Sequence, residues 1–362
     1  MSFELRKLED VCDILDHMRI PITSRDRKAG PYPYYGANGI QDYIDDYIFD
    51  DELVLLAEDG GNFGSKEKPI AYRISGKTWV NNHAHVLKPK NIIDVDYLCY
   101  SLMYYDVSGL VNGATRQKLT QSEMRKINIR YRRLEKQRQI VFKIKLISNI
   151  ISSRKHQLCN LDSLVKSRFI EMFGDVEESS KRWNTVYLEK VIQSIESGWS
   201  GNGIQRNKLE GEIAVLKVSA VTKGFFIPSE CKVLEDQKNI KKYIYPHKDD
   251  LLFSRANTKE MVGATVIISK DFPELILPDK LWRIRFNELA NIYFIKYVLS
   301  SRSIRNKLSS EATGTSGSMY NISMQKLKQL AIPLPPTDLQ NNFAAFVSKI
   351  DKSKFVVTAK FQ

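Results

Sequence analysis

Residues 71–78 include Gly76-Lys77-Thr78 and fit a relaxed form of the loop that binds nucleotide phosphates. A true phosphate loop needs a glycine-rich backbone between a strand and a helix, because its N–H groups must surround the phosphate. Here residues 72–75 are Tyr-Arg-Ile-Ser, and Trp79-Val80 continues as a strand. We therefore predict no nucleotide site in this segment.

His83 and His85 have the alternating spacing that places two metal ligands on one face of a strand. No third histidine, cysteine or acid follows at zinc spacing, so we interpret both as structural histidines or DNA contacts and predict no metal. The cysteines form no CxxC pair, which favours reduced, mostly buried thiols. They are Cys12, Cys99, Cys159 and Cys231.

Motifs typical of enzymes are missing from the sequence. It has no Asn/Asp-Pro-Pro-aromatic motif of a DNA methyltransferase, no carboxylate and lysine cluster of a nuclease, and no nucleophile elbow. The acid pairs Asp45-Asp46 and Asp249-Asp250 precede strands and are typical of turns. We predict that the chain is not itself an enzyme and holds no cofactor.

The chain is basic, with 55 lysines and arginines against 42 acids and a net charge of +13 over 362 residues. This balance favours a polyanionic partner, either nucleic acid or an acidic membrane surface. No apolar run reaches the ~20 residues of a membrane span, and the first residues do not resemble a signal peptide. We expect a cytoplasmic protein of two or three domains with no membrane contact.

The sequence contains an internal repeat. Residues 124–129 match residues 327–332, and Gln137 recurs as Gln340, both at a separation of 203 positions. Each copy holds short β-rich runs between Gly, Asn and Pro turns, and one apolar-periodic segment typical of a helix. We predict two duplicated domains of mixed α/β (α+β) class. The strand runs are residues 53–57, 262–268 and 281–286, and the helical segments are residues 97–104 and 292–299.

Between the copies, apolar residues recur at alternating steps of three and four. This heptad pattern predicts one helix over residues 134–173, and a helix with such a stripe needs a partner helix. Phe343, Val347 and Ile350 continue the same steps. We therefore predict an antiparallel coiled coil with Ile147 and Ile350 in its seam. The first helix contributes Ile140, Ile144, Ile147, Ile151, Leu158 and Leu161.

The sequence resembles the specificity subunits of type I restriction-modification enzymes. Residues 134–140, 161–164 and 169–175 resemble the central spacer helix of that family, and Ile332-Pro-Leu-Pro-Pro336 with Leu339-Gln340 resembles the start of its second spacer. The resemblance covers nearly the whole chain. Segments similar to its target-recognition domains are residues 34–40, 56–60, 82–85 and 250–255.

The resemblance implies a first target-recognition domain (residues 1–133), a central spacer helix (134–174), a second target-recognition domain (175–336) and a short C-terminal spacer helix (337–362). Each domain would read one half of an asymmetric, bipartite site in double-stranded DNA. Methyltransferase (M) subunits would bind the spacers and supply adenine methylation with S-adenosylmethionine, and restriction (R) subunits would add cleavage with ATP and Mg. The short second spacer leaves a truncated specificity allele as an alternative.

The residues that we predict to contact DNA lie in basic or Gly- and Asn-rich loops. Arginine binds guanine and asparagine binds adenine with two hydrogen bonds each, whereas lysine contacts phosphates without reading sequence. Solvated surface is the competing interpretation for each of them. The candidates are Arg25, Arg27, Lys28, Tyr34, Tyr35, Asn38, Lys66, Arg116, Lys118, Trp199, Arg206, Arg255, Asn257, Lys259, Tyr320 and Asn321.

Two other functions compete with this prediction. A self-contained DNA methyltransferase or nuclease would need a further domain of ~200 residues, for which the duplication leaves no room. A coiled-coil adaptor without DNA affinity conflicts with the duplicated domains and the positive charge. Salt-dependent DNA binding distinguishes a DNA reader from such an adaptor.

Overall fold

A computed structural model describes residues 3–113, 116–177, 182–314 and 319–359, with side chains up to residue 354. The chain divides into two compact units, Met1–Ser153 and Arg154–Gln362. Within the described residues, no helix is long and apolar enough to cross a membrane.

Among its described residues, the first unit combines twelve strands with three short helices and the start of a long one. The strands are β1 (Glu4–Lys7), β2 (Cys12–Ile14), β3 (Ala29–Gly36), β4 (Gly39–Ile44), β5 (Phe49–Asp50), β6 (Leu53–Ala57), β7 (Ala71–Ile74), β8 (Lys77–Val80), β9 (Ala84–Pro89), β10 (Val111–Asn112), β11 (Lys118–Leu119) and β12 (Asn128–Tyr131). The helices are α1 (Leu8–Val11), α2 (Val95–Leu102), α3 (Gln121–Arg125) and α4 (Leu134–Phe173), with a 3₁₀ turn at Asp16–Met18.

Two four-stranded sheets form the centre of the first unit. One is antiparallel in the order β2-β9-β6-β7, and the other has the order β4-β3-β8-β5 with β3 and β8 parallel. Strand β6 is buried along its whole length because both of its faces are covered. Val54 and Leu56 face the core beneath α2, while Leu53 and Leu55 face a second apolar cluster.

In the part of the second unit that the structure describes, there are twelve strands and four further helices. The strands are β13 (Thr185–Tyr187), β14 (Ile192–Ser197), β15 (Gly203–Ile204), β16 (Ala214–Leu216), β17 (Cys231–Leu234), β18 (Leu251–Ser254), β19 (Ala256–Asn257), β20 (Thr265–Ile267), β21 (Leu275–Ile276), β22 (Leu281–Phe286), β23 (Tyr320–Asn321) and β24 (Ala331–Pro333). The helices are α5 (Ile292–Ser300), α6 (Arg302–Glu311), α7 (Met324–Lys328) and α8 (Thr337–Ala359), with 3₁₀ turns at Leu188–Lys190 and Val218–Ala220.

The second unit repeats the topology of the first. Its antiparallel sheet has the order β14-β22-β18-β20, and β13 pairs with β24 as β1 pairs with β12. In its other sheet, β17-β16-β21 repeats β4-β3-β8, including the parallel pair. Helix α6 has no counterpart among the described residues of the first unit. The predicted duplication is therefore visible in the strand order.

Helix α4 has the predicted bounds, and α8 packs antiparallel to its end inside the second unit. Phe169 lies 5.5 Å from Phe343 between ring centroids, and Lys354 forms an ion pair with Asp162 at 2.7 Å. Since α8 advances from 343 to 354 while α4 runs back from 169 to 162, the predicted antiparallel direction is confirmed.

The predicted seam between Ile147 and Ile350 is wrong. Ile350 packs against the core of the second unit that contains Val165, whereas Ile147 is 57% exposed. Ile140 packs against the core of the first unit, and Ile151 is exposed. The physical reason is register, because α8 pairs with the last turns of α4 and not with its middle.

Candidate nucleic-acid interface

In the first unit, two segments that are distant in sequence meet where β6 ends. The N–H of Leu119 donates to the carbonyl of Glu58 at 2.7 Å, and Asp59 pairs with Lys118 as an isolated bridge. We call residues 58–60 and 116–119 the first edge. Two candidates in this edge are held by acids, since Lys118 binds Glu58 at 3.0 Å and Arg116 binds Asp59 at 3.1 Å.

A buried polar network supports the first edge from below. Arg19 binds Glu58 at 2.5 Å and also donates to the carbonyl of Ala84. Burial alone would raise the pKa of Glu58, but the hydrogen bonds from Arg19 and Lys118 lower it below its usual value. Burial likewise acts to raise the pKa of Asp16, and the hydrogen bond with His85 helps to lower it. Both carboxylates are therefore held ionised beneath the edge.

Asp16, Glu58 and His85 bring three possible metal ligands together. His85 is fully buried, and its ring nitrogens are 2.6 Å from Asp16 and 2.8 Å from the carbonyl of Leu119. Both nitrogens thus have partners, while Arg19 and Lys118 occupy Glu58. The arrangement is a satisfied ion network, which agrees with the interpretation of His85 as a structural histidine.

Residues 71–78 form a strand, a turn and a second strand. Strand β7 ends at Ile74, Gly76 turns the chain with a φ of 70°, and β8 begins at Lys77. A phosphate loop leads instead from a strand into a helix N-terminus. The segment therefore lacks the backbone of a phosphate site.

The corresponding place in the second unit is a short two-stranded ribbon. Ala256 pairs with Asn321 and Asn257 pairs with Tyr320, and the N–H of Ile322 donates to the carbonyl of Arg255 at 2.9 Å. We call residues 255–257 and 319–322 the second edge. Its candidate side chains are Arg255, Asn257, Tyr320 and Asn321, all half-buried.

The two edges are equivalent in backbone and different in side chains. In the antiparallel sheet of the first unit Leu56 pairs with His85, and in that of the second unit Phe253 pairs with Trp282. Each residue of the second pair lies 197 positions after its counterpart in the first pair. Glu58, Asp59 and Gly60 therefore correspond to Arg255, Ala256 and Asn257. The first edge presents carboxylates with their cations, whereas the second presents guanidinium, amide and phenol groups. These groups recognise different base edges.

Comparison with known proteins decides the family. The family model described as "Type I restriction modification DNA specificity domain" matches residues 2–160 and 180–360. The chain belongs to this family. A type I restriction enzyme specificity subunit of Haemophilus influenzae is 28% identical over 357 residues, covering 96% of this chain and 87% of the relative.

One further relative and one solved structure are also similar to this chain. The EcoKI specificity subunit of Escherichia coli is 24% identical over 283 residues, covering 73% of this chain and 60% of that subunit. The type I restriction-modification S subunit from M. genitalium shares the fold, with a TM-score of 0.61, 11% identity and coverage of 99% and 92% of the two chains. The predicted fold class and the function of a type I DNA specificity protein are confirmed.

Within this type I specificity protein, eight candidates lie at or beside the two edges and the other eight are spread elsewhere. Asn38 joins the first edge because its amide donates to the carbonyl of Gly60 at 2.9 Å. Lys259 lies two residues after Asn257 of the second edge and is exposed. Residues 114–115 and 315–318, which lie next to the two edges in sequence, are outside the described residues. Lying outside both edges are Arg25, Arg27, Lys28, Tyr34, Tyr35, Lys66, Trp199 and Arg206.

Tyr34 is wrong as a predicted DNA contact. It is 1% exposed, and its hydroxyl accepts a hydrogen bond from the N–H of Ile22 at 3.0 Å. The guanidinium of Arg27 lies 4.1 Å from its ring centroid and is bound to Asp42, so Arg27 covers Tyr34. Packing by residues distant in sequence explains both positions.

The sequence analysis missed the acids of the first edge. Glu58 and Asp59 orient Lys118 and Arg116, yet they lie 60 and 57 positions away from these partners. The available signal was the repeat itself, because Glu58 and Asp59 correspond to the nominated residue Arg255 and its neighbour.

Proposed function

We propose that this specificity protein reads a bipartite, asymmetric site in double-stranded DNA, with the first edge in one half-site and the second edge in the other. The observation that carries the proposal is the pair of equivalent edges with different side chains. One backbone arrangement, used twice, would enter two grooves in the same way. Different side chains on it would then select different bases.

The chemistry of each edge suggests its role. Arg116 and Lys118 supply positive charge for phosphates, and Asp59 can accept a hydrogen bond from a cytosine amino group once Arg116 moves to the DNA. Arg255 and Asn257 supply the groups that bind guanine and adenine. The net charge of +13 supports a polyanionic partner.

Helix α4 carries exposed apolar side chains that support docking of M subunits. Phe142, Leu146 and Ile150 are exposed, as are Ile147 and Ile151, and all five lie within three turns. An apolar stripe of this kind is typical of a surface that another protein covers. We assign it to M subunits, with R subunits joining the resulting complex.

We predict that the isolated chain neither methylates nor cleaves DNA when supplied with S-adenosylmethionine, ATP and Mg. The sequence has no catalytic motif, and we place these cofactors in the M and R subunits. Radiolabelled methyl transfer and gel-based cleavage assays measure both activities. Methyl transfer by the pure chain, in an assay without M subunits, would contradict this assignment.

Methylation-motif mapping tests the proposed function directly. Cells that express M subunits with this chain should methylate one bipartite adenine motif, and cells that lack the chain should lose that motif. A continuous motif, or a motif that persists after deletion, would refute a bipartite reader.

We predict that Asn257→Ala relaxes the second half-site at one base pair. A lost bidentate contact costs about 1–3 kcal/mol of discrimination, so a formerly rejected base should be methylated roughly 5- to 150-fold better. Asn239→Ala is the matched control, because Asn239 is an exposed asparagine of the same unit that binds Asp236. Motif mapping that finds equal effects for both variants would remove Asn257 from the interface.

A further inference from the structure

Each unit contains one fully buried glutamine at the start of a spacer helix. Gln137 is the fourth residue of α4, and Gln340 is the fourth residue of α8. Both are 0% exposed. A glutamine in such a place must find partners for its whole amide group, because an unpaired buried polar atom is costly.

The two glutamines make the same three hydrogen bonds. Gln137 Oε1 accepts from the N–H of Asp94 at 2.8 Å, and its Nε2 donates to the carbonyls of Ile92 at 3.0 Å and Arg132 at 2.6 Å. Gln340 repeats this pattern with Asn291 at 2.8 Å, Leu289 at 3.1 Å and Pro335 at 2.8 Å. Each amide thus uses both of its donors and its acceptor.

The hydrogen-bond partners show which elements each glutamine side chain connects. Asp94 is the N-cap of α2 and Asn291 is the N-cap of α5, the helices that cover the two antiparallel sheets. Arg132 and Pro335 lie just before the spacer helices. Each glutamine therefore ties the first turn of a spacer helix to the covering helix of its own unit. We call these two residues the glutamine clamps.

Apolar contacts alone would leave the direction of a helix poorly determined. Ile140 and Val141 bury the next turn of α4 against the first core, but the hydrophobic effect has no preferred direction. Hydrogen bonds do, since they weaken steeply when bent. Three hydrogen bonds from one rigid side-chain amide therefore restrict the tilt of the spacer helix relative to the rest of its unit.

We propose that Gln137 and Gln340 are positioning residues that fix the direction of each spacer helix relative to the covering helix of its own unit, and thereby the gap accepted between the two half-sites. The proposal rests on the proposed function, because only a bipartite reader has a gap. It assigns gap selection to two buried amides that lie apart from both edges.

The test compares Gln137→Ala and Gln340→Ala with Gln139→Ala, a matched control. Gln139 lies on the same helix, is exposed, and contacts only Lys136 among the bonds of its side chain that the structure describes. Each variant is expressed with M subunits in cells that carry plasmids with both half-sites at the wild-type gap, or one base pair shorter or longer. Sequencing measures the methylated fraction at each gap.

We expect each clamp variant to reduce the preference for the wild-type gap by about tenfold, which corresponds to ~1.4 kcal/mol. Both half-site sequences should stay unchanged, and Gln139→Ala should match wild type. A purely structural role would lower methylation at all three gaps equally, so an unchanged ratio between gaps would overturn the proposal.

Further variants and the wild-type protein distinguish the possible outcomes of this test. If Gln137→Ala does not fold, Gln137→Met retains the side-chain volume and removes the hydrogen bonds, and Gln340→Ala tests the second clamp independently. If wild type itself methylates no bipartite motif, the proposed function fails. If wild type selects one gap and the folded clamp variants select it equally well, only the clamp proposal fails.

Discussion

Exchange of residues 175–336 for the equivalent segment of another family member should rewrite one half of the methylated motif and leave the other half unchanged. The two units have separate cores, since the cluster with Leu56 and Leu98 lies wholly in the first and the cluster with Phe253 and Phe294 wholly in the second. Contacts at distant sites contribute nearly independently, so each edge should carry its own specificity.

The junctions of this chimera need care. The second core also includes Phe169 and Phe173 of α4 and Phe343 of α8, which the exchange leaves in place. A second chimera that begins at residue 154 and extends through the end of α8 brings the donor's own helix ends and controls for mismatched packing. Motif mapping of both chimeras should give the same new half-site. A change in both half-sites would defeat the two-reader arrangement.

Local patterns explain why so much of the fold follows from the sequence. The bounds of α4 follow from the heptad pattern in its own sequence, and the duplication follows from matched residues such as Gln137 and Gln340. Strand β6 was recognisable as a short apolar run. Each of these signals depends on neighbours along the chain, which periodicity captures.

Non-local packing explains the failures. A heptad stripe predicts that Ile147 needs a partner, but it does not predict which residue of α8 lies opposite it. In the structure, the register of α8 is set by the packing of Phe343 against Phe169, near the end of α4. Tyr34 appeared to belong to a polar loop, while its burial depends on Ile22 and Trp79.

The network of the first edge was equally hidden, because His85 and Asp16 are 69 positions apart. Polar pairs of this kind leave no periodic trace in a single sequence. The pairing of Arg116 and Lys118 with Asp59 and Glu58 therefore does not follow from the sequence, although the repeat marks the positions of both acids.

Phe343→Ala should destabilise the second unit by about 3–5 kcal/mol, the usual cost of removing a buried phenylalanine side chain. Phe343 is fully buried, and its ring lies 5.5 Å from Phe169, 5.6 Å from Phe173 and 5.2 Å from Tyr297 between centroids. The cavity would open where α8 meets α4, so the same change should loosen the end of the spacer.

Calorimetry combined with hydrogen exchange resolved by peptide measures this effect in each unit. The melting temperature of the second unit should fall by roughly 6–20 °C, at 2–4 °C per kcal/mol for a domain of this size, while exchange in the first unit stays unchanged. Phe142→Ala is the matched control, because Phe142 lies on α4 with 68% of its surface exposed and should change stability by less than about 0.5 kcal/mol. Since Phe142 belongs to the stripe assigned to M subunits, its variant should lose methylation without losing stability. Equal destabilisation by the two substitutions would mean that the aromatic cluster does not hold α8 to α4.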